Sequence, residues 1–390
     1  MLAEVRLSAA AGDAAQLLAD LVRIESVTPW LVPGGAGESA IVAHLASFLS
    51  RPGIDLSIEE VQPGRPNLIA TVRGRGPGPT LCLNAHSDTV GYENWRDEAL
   101  NPRVEDGRLY GLGACDDKAG CVAMMLTLAA LAADPPAAGT LLAAFVADEE
   151  ALSIGTEHLV LRPGIDAAII IEPHGLGEIV VEHQGFGWID LTTHGVAAHG
   201  SAPEQGVDSI AHMSEVLAGL RALDRDVYSA TSGLPSGKTV FHASKIGGGT
   251  DYATYPSRTT LGIEIGTQPG ERLASRVSEI EAIFAAIAAR EPSFRGEIAV
   301  QLERDPFSSA GHERLLENLN AAFESVTGRV PVEAGLNAWT DAALMQSAGI
   351  PTVLIGPEGG NLHAPGEWVS LTELAQLCDI LEATARTFLA

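Results

Sequence analysis

The chain has 390 residues, 46% of them hydrophobic, and carries 24 Lys and Arg against 50 Asp and Glu, a formal net charge of −26. This length exceeds what one hydrophobic core usually supports, so two domains are expected. The negative charge would repel nucleic-acid phosphates and anionic lipid surfaces, and the longest apolar run, residues 121–133, is too short to cross a bilayer. We therefore expect a soluble protein that binds neither nucleic acid nor membranes.

The chain shows no targeting signal and no disulfide pattern. Residues 1–6 include an early acid and lead into no continuous apolar segment, so a cytoplasmic location is expected. The four cysteines form no CxxC pair and are too sparse for a disulfide framework. They are predicted to be reduced thiols: Cys82, Cys115, Cys121 and Cys378.

The first part of the chain alternates helical and strand patterns. Helical apolar stripes and short apolar runs typical of strands buried on both faces follow one another, which predicts an α/β layer. The predicted helices cover residues 14–24, 38–49 and 121–133, and the predicted strands cover residues 67–72, 80–85, 140–147 and 166–171.

A different pattern begins at residue 184 and ends near residue 303. It reads as a βαββαβ unit with strands at residues 187–194, 239–246, 259–266 and 297–303, and helices at residues 209–223 and 271–290. The apolar run at residues 352–355 then resumes the earlier buried-strand character. We therefore predict a domain at residues 184–303 inserted into a first domain made of residues 1–183 and 304–390.

Glycine-rich stretches at residues 74–78 and 247–249 lack the Gly-Lys-Ser/Thr of a phosphate loop. They are predicted to be turns.

Acidic and histidine side chains follow the predicted buried strands. His86, residues 148–150 (DEE) and Glu172 come directly after strands, and His363 follows the last one after a longer loop. In open α/β sheets the ligand crevice lies beyond the carboxyl ends of the strands. We therefore expect these side chains to form one site.

The inventory of these side chains suits two divalent cations. Such a pair needs oxygen and imidazole ligands, and one carboxylate with two oxygens to share can bridge the two ions. The candidate ligands are His86, Asp116, Glu150, Glu172 and His363.

Two further acids are expected to assist the ligands. Asp88 lies two residues after His86, so in an extended segment its carboxylate can accept the second N–H of the imidazole. Glu149 and Glu150 would point in different directions if the strand end stays extended. One can then bind metal while the other, Glu149, takes a proton from an attacking water.

Five motifs occur in a characteristic order: residues 84–90 (NAHSDTV), 111–118 (GLGACDDK), 148–150 (DEE), 171–173 (IEP) and 363–367 (HAPGE). With residues 23–29 (RIESVTP) and 339–343 (WTDAA), they span nearly the whole chain. The chain resembles the co-catalytic zinc amidohydrolases and peptidases of the acetylornithine deacetylase, succinyl-diaminopimelate desuccinylase and glutamate carboxypeptidase family. The resemblance implies a catalytic domain with a mixed, mostly parallel sheet flanked by helices, and an inserted lid or dimerisation domain.

The resemblance also implies a role for each residue that matches a motif. Asp116 would bridge two metal ions, most often zinc with cobalt or manganese as alternatives. His86 and Glu172 would complete one metal site, and Glu150 and His363 the other. Glu149 would be the general base.

One further role falls on the inserted domain. The family places a histidine of a Gly-x-x-Ala-His pattern against the developing oxyanion, and residues 195–199 (GVAAH) supply His199. In dimeric relatives that histidine comes from the partner subunit, so a homodimer is expected. The sequence leaves open whether His199 acts in its own subunit or in the partner.

Two positions of the inserted domain depart from the family pattern. Family lids carry an asparagine three residues before a proline and an arginine just ahead of a Thr-x-Pro-Gly-Glu segment, and these hold the substrate's carboxylate. Here the positions are Ala253 and Gly266, which cannot replace a guanidinium. Either Arg258 or another cation substitutes, or the substrate lacks an α-carboxylate. Arg258 and His242 are the candidate substrate-binding residues.

We expect an enzyme that removes the acyl group from an N-acyl amino acid or a related N-acyl amine. The alternative within the same chemistry is a carboxypeptidase or dipeptidase acting on a short peptide. The alternative of another class is a non-catalytic binding or scaffold protein on the same fold.

Overall fold

The computed structural model describes residues 9–231 and 233–390, and the chain divides into two compact units. The first unit runs to Val181 and resumes at Ser309–Glu333 and Thr340–Ala390. The second unit consists of Glu182–Ser308 and Ala334–Trp339. Residues 334–339 lie outside the segment that the sequence indicated. They belong with the second unit because Leu336 O accepts the N–H of Gln184, and Gly335 lies against the backbone of Pro235 and Ser236.

The structure contains every predicted helix at nearly the predicted residues, and it contains several further helices that the sequence did not indicate. In chain order the α-helices of the described residues are α1 (Ala9–Val22), α2 (Ser39–Leu49), α3 (Arg96–Ala99), α4 (Lys118–Ala133), α5 (Ile154–Leu159), α6 (Ser209–Leu223), α7 (Leu273–Arg290), α8 (Glu313–Thr327), α9 (Ala342–Ser347) and α10 (Leu371–Phe388).

The strands likewise include every predicted one. In chain order they are β1 (Asp55–Gln62), β2 (Arg65–Arg73), β3 (Thr80–His86), β4 (Arg103–Glu105), β5 (Arg108–Tyr110), β6 (Thr140–Val146), β7 (Ala167–Ile171), β8 (Glu178–His183), β9 (Gly185–His194), β10 (Phe241–Gly248), β11 (Arg258–Thr267), β12 (Arg295–Arg304), β13 (Phe307–Ser308), β14 (Val332–Leu336), β15 (Thr352–Ile355), β16 (Gly359–Gly360) and β17 (Trp368–Ser370).

The large sheet has the order β1-β2-β6-β3-β7-β15-β8-β13, and β14 also pairs with β8. The centre, β6-β3-β7-β15, is parallel, whereas the pairs at both edges are antiparallel. The central strands are almost entirely buried, which explains why most of their residues are apolar. This is the α/β layer that the residue patterns predicted and the mixed sheet that the family resemblance implied, with its parallel pairs in the centre.

Helices cover this sheet and complete the main core. α10 packs against α1, α4 and α8, and α4 also packs against β2 and β3. The predicted helix at residues 121–133 starts at Lys118 and is buried along most of its length, so its apolar residues occupy all sides of the helix. Among the described residues, no helix combines the length and the apolar character that crossing a bilayer requires. The four cysteines are free, as predicted.

The second unit is a four-stranded antiparallel sheet with the order β10-β11-β9-β12. α6 and α7 pack together and against this sheet. Alternate residues of β9 and β11, such as Leu191 opposite Leu261, face this apolar core. The order of elements is the predicted βαββαβ.

A small sheet of the first unit, β16-β17-β5-β4, joins two distant parts of the chain. β5 leads directly into residues 111–117, and the loop between β16 and β17 contains His363. Trp368 of β17 pairs with Tyr110 of β5. The pairing therefore brings the His363 loop beside the segment that ends in Asp116.

Candidate active site

The carboxyl ends of adjacent parallel strands deliver the candidate ligands of the first unit. His86 is the last residue of β3, Glu172 follows β7 directly, and residues 148–150 follow β6 after Ala147. Because β6, β3 and β7 are neighbours in the sheet, their ends meet at one edge. These candidate ligands therefore lie at the carboxyl edge of the sheet, where open α/β sheets bind their ligands.

Asp116 lies between two histidines. Its Oδ1 is 2.9 Å from His86 Nε2, and its Oδ2 is 3.1 Å from His363 Nε2. Each carboxylate oxygen thus faces a different imidazole nitrogen. This is the arrangement that a bridging carboxylate requires.

The remaining acids divide into two groups around the same centre. His86, Asp116 and Glu150 offer ligand atoms that all lie within 4.8 Å of one another, and so do His86, Glu149 and Glu172. His363 Nε2 is 3.1 Å from Glu150 Oε2, and His86 Nε2 is 3.9 Å from Glu172 Oε1. All five candidate metal ligands and Glu149 therefore converge in the first unit.

Glu149 and Glu150 diverge for a different reason than the sequence suggested. They lie in a turn, not in an extended strand end, and the turn starts at Asp148, which has a left-handed φ of 68°. An aspartate tolerates this conformation better than most residues. The turn, not strand alternation, sends the two glutamates into different groups.

Asp88 connects the histidine to this turn. His86 Nδ1 is 3.1 Å from the backbone carbonyl of Asp88 and 3.5 Å from its carboxylate. The carboxylate of Asp88 accepts the N–H of Glu149 at 3.1 Å and that of Glu150 at 3.2 Å. The expected contact with the imidazole is thus made chiefly by the carbonyl of Asp88, and its carboxylate holds the two acids.

Two buried acids near the site were given no role from the sequence. Glu367 accepts the backbone N–H groups of Gly113, Cys115 and Asp116 at 2.9 to 3.1 Å. Asp341 accepts the hydroxyl of Thr156 and lies close enough to raise the pKa of Glu149. Both acids sit in motifs, residues 363–367 and 339–343, that carried the family resemblance. Membership in these motifs could have identified the two acids as candidate site residues. Their contacts depend on the tertiary structure and could not be predicted from the sequence.

The clustered carboxylates around Asp116 would be stabilised by cations. Burial raises the pKa of Glu149 and of Glu172 well above the ordinary value, and neighbouring carboxylates raise both further. Hydrogen bonds with Asp116 and Glu150 raise the pKa of His363 to about 11. Although burial acts to raise it, the two histidines lower the pKa of Asp116. So many carboxylates cannot all ionise in this space without positive charge beside them.

The carboxylate oxygens and imidazole nitrogens of this site are suited to bind two divalent cations. Glu150 Oε1 is buried and has no hydrogen-bond partner within the described part of the chain, so a lone pair stays available for an ion. Imidazole nitrogens and carboxylate oxygens are the ligands that zinc, cobalt and manganese accept. His86 and His363 present such nitrogens to Asp116 from its two sides.

Three other candidates lie in the second unit. His199 is exposed, and its Nδ1 is 2.8 Å from the hydroxyl of Ser201. Arg258 is exposed beside residues 247–249, of which the first two belong to β10 and not to a turn as predicted, and His242 is exposed on the same strand. His242 pairs with Glu264, six residues along β11 from Arg258, which separates them by about 20 Å. One small substrate group cannot contact both.

Position 266 has no room for a side chain. A Cβ on Gly266 would lie 2.6 Å from Gln184 Oε1 and 3.0 Å from Val240 N. Gln184 is fixed there because its amide donates to the carbonyls of Ser236 and Lys238 and accepts from Val240 N. A buried glutamine therefore occupies the space where the family pattern would place the base of an arginine.

A sequence profile of the peptidase family M20/M25/M40 matches residues 82–387, most of the chain. The chain belongs to this family. It is a metal-dependent hydrolase that acts on amide or peptide bonds.

Characterised relatives match over nearly the full length. N-formyl-4-amino-5-aminomethyl-2-methylpyrimidine deformylase of Bacillus subtilis is 26% identical over 387 residues, covering 90% of this chain and 89% of the relative. Acetylornithine deacetylase of Myxococcus xanthus is 29% identical over 345 residues, covering 85% of this chain and 84% of the relative.

Solved structures share the fold. A tripeptidase from Staphylococcus aureus superposes with a TM-score of 0.78 at 22% identity, covering 96% of this chain and 99% of the other. A dinuclear metal-binding peptidase of the M20 family from Bacillus subtilis superposes with a TM-score of 0.71 at 16% identity, covering 98% and 99%.

Proposed function

We propose that the protein hydrolyses the amide bond of an N-acyl amino acid or a related N-acyl amine, with two zinc ions and with Glu149 as general base. The observation that carries the proposal is the division of acids around Asp116 and the two histidines. Glu150 groups with Asp116 and lies 3.1 Å from His363, Glu149 groups with Glu172, and His86 belongs to both groups. Glu150 can then bind a cation while Glu149 accepts and returns a proton.

The proposed ligand sets follow this division. His86 and Glu172 would hold one ion, Glu150 and His363 the other, and Asp116 would bind both. Bound divalent cations supply Lewis acidity and lower the pKa of water from 15.7 toward about 7.

The residues of the chain supply the proton transfers. Glu149 takes a proton from the water as the water oxygen attacks the carbonyl carbon of the substrate. The C–N bond then breaks, and Glu149 returns the proton to the departing nitrogen. Burial raises the pKa of Glu149, and bound cations would favour the ionised carboxylate that accepts the proton in the first step. Asp88 keeps both glutamates in place through their backbone N–H groups.

His199 is proposed to donate a hydrogen bond to the developing oxyanion, from its own subunit or from a partner. Its surroundings support a homodimer. Val196, Ile210 and Ile246 of the same unit are 51%, 48% and 62% exposed, and β10 is an exposed edge strand. Apolar groups and an unpaired strand edge of this kind are typical of surfaces that a second copy covers.

The names of the relatives favour deacylation. One relative is named as a deformylase of an N-formyl aminopyrimidine and another as a deacetylase of acetylornithine, so both names describe the removal of an acyl group. A carboxypeptidase must bind the free C-terminal carboxylate of its peptide substrate. Gly266 and Ala253 supply no group that binds it at the two lid positions where the family pattern has one.

A substrate panel tests the proposal. The metal-loaded protein is incubated with N-formyl and N-acetyl amino acids, N-acyl amines without a carboxylate, and dipeptides, and released amine is measured. Release from the N-acyl compounds at rates well above those for dipeptides is expected. Preferential cleavage of dipeptides would replace the proposal with a peptidase. Cleavage restricted to carboxylate-bearing compounds would point to Arg258 or another cation as the anchor, and Arg258→Gln would then raise KM.

A further inference from the structure

A buried arginine lies behind the turn that carries Glu149. Arg65 begins β2 and is 8% exposed. Its Nε and Nη2 each donate at 2.6 Å to one carboxylate oxygen of Glu38, which precedes α2. Nη2 also donates at 2.7 Å to Asp148 Oδ1. One guanidinium therefore ties Glu38, at the start of α2, to the residue directly before Glu149.

Asp148 accepts the hydrogen bonds that hold that turn together. Its carbonyl accepts the N–H groups of Ala151 and Ser153, and its Oδ2 accepts the N–H of Leu152 at 3.3 Å. Its Oδ1 receives the hydroxyl of Thr28 in addition to Arg65. Side chain and main chain of Asp148 thus bind the turn from both sides, while its backbone holds a left-handed φ of 68°. Such a conformation persists where surrounding contacts over-determine it.

The guanidinium of Arg65 pairs with two buried carboxylates. Glu38 and Asp148 are both buried, at 0% and 1% exposure, and Arg65 is the cation that contacts both. A lysine would keep the charge, but it lacks the planar fork that reaches two carboxylates in fixed directions. Loss of the fork would remove the charged contact of the Asp148 carboxylate and leave it held only by the hydroxyl of Thr28 and the N–H of Leu152.

We infer that Arg65 is a positioning residue for the general base: through Asp148 it fixes the turn that directs Glu149 at the reacting water. The inference rests on the proposed role of Glu149. Arg65 contacts neither Glu149 nor a candidate metal ligand in the hydrogen bonds of the described residues, so its effect passes through Asp148.

Arg65→Lys tests the inference. A small displacement of a catalytic group lowers turnover steeply, so kcat is expected to fall about 10- to 100-fold while KM and the two metals per chain stay close to the parent values. The matched control is Arg276→Lys. Arg276 is also a buried arginine that binds two glutamates, Glu271 and Glu279, but it belongs to the second unit. The control should lower Tm without lowering kcat per folded molecule.

A double-mutant cycle separates positioning from a general structural effect. If Arg65 acts through Glu149, Arg65→Lys should change kcat little in a Glu149→Gln background. Equal factors in both backgrounds, or losses explained by unfolded or metal-free protein, would overturn the inference and leave the proposed function standing. Near-normal turnover by Glu149→Gln alone would overturn the general-base role and this inference with it.

Thr28→Val provides a second variant if Arg65→Lys fails to fold. It is nearly isosteric and removes the hydroxyl that donates to Asp148 and accepts from Nη2 of Arg65 at 3.0 Å, while the guanidinium stays in place. A lower kcat that disappears in the Glu149→Gln background is expected. An unchanged kcat in the otherwise intact enzyme would contradict the inference.

Discussion

Glu367 Oε1 accepts the backbone N–H of Asp116 at 3.1 Å, so the residue that closes the His363 loop also fixes the acid between the two histidines. The same carboxylate accepts two more N–H groups of the segment that leads to Asp116. Two parts of the chain that lie about 250 residues apart are therefore joined at the proposed bridging ligand.

Glu367→Gln should weaken metal binding. A glutamine keeps one acceptor oxygen but turns an NH2 group toward a backbone N–H, which loosens the segment before Asp116. Loss of such an orienting contact lowers metal affinity by about 10- to 100-fold. Titration of the metal-free protein with zinc measures the effect.

Glu373→Gln is the matched control. Glu373 also accepts two backbone N–H groups, those of Leu176 and Glu358, but it contacts no candidate ligand. Its variant should bind metal as the parent does. Equal zinc affinities of the two variants would show that Glu367 does not support metal binding.

Glu149→Gln should keep both metals and lose turnover. The amide cannot accept the proton of the attacking water, and general-base catalysis contributes about 10²- to 10⁴-fold. Metal content and kcat are measured on the same preparation. Glu150→Gln is the neighbouring control, since it should lower metal content instead. A Glu149→Gln enzyme that turns over normally would exclude the assigned role.

Mixing two inactive variants should show where His199 acts. If His199 serves the partner's site, a dimer of one His199→Ala chain and one Glu149→Gln chain contains one complete site. Equal mixing after dissociation and reassociation should then restore about a quarter of the parent activity. No recovery in mixtures that contain verified heterodimers would place His199 in its own subunit.

Gly266→Arg should destabilise the second unit and create no carboxylate grip. The new Cβ would collide with Gln184 and Val240. Overpacking of this kind costs about 1–3 kcal/mol, which chemical denaturation measures. Gly247→Ala on β10 is the control, because a Cβ there meets no atom within 4 Å. A stable Gly266→Arg protein with improved KM for carboxylate substrates would contradict this account.

Metal loading at pH 7 should release protons. In the metal-free protein the pKa of His363 is raised to about 11, so its imidazole carries a proton that must leave before Nε2 can bind a cation. Affinity should accordingly increase as pH rises above 7. Calorimetric titration in buffers of different ionisation enthalpy counts the protons, and a buffer-independent heat would refute the prediction.

The sequence by itself determined the layout of this protein. Short, strongly apolar runs such as residues 80–85 and 352–355 are typical of strands buried on both faces, and the periodicity of residues 184–303 predicted their βαββαβ order. Acids and histidines placed directly after such strands indicated a metal site, since strand ends meet at one edge of a sheet.

Only the tertiary structure decided how the site is held. The turn at Asp148 and its tie to Arg65 join residues 83 positions apart, and no local pattern reports such a contact. The same holds for Gly266, where the sequence shows a missing arginine and the packing of Gln184 shows why no side chain fits. Periodicity reports which face of an element is buried, but partners across the fold are set by three-dimensional packing.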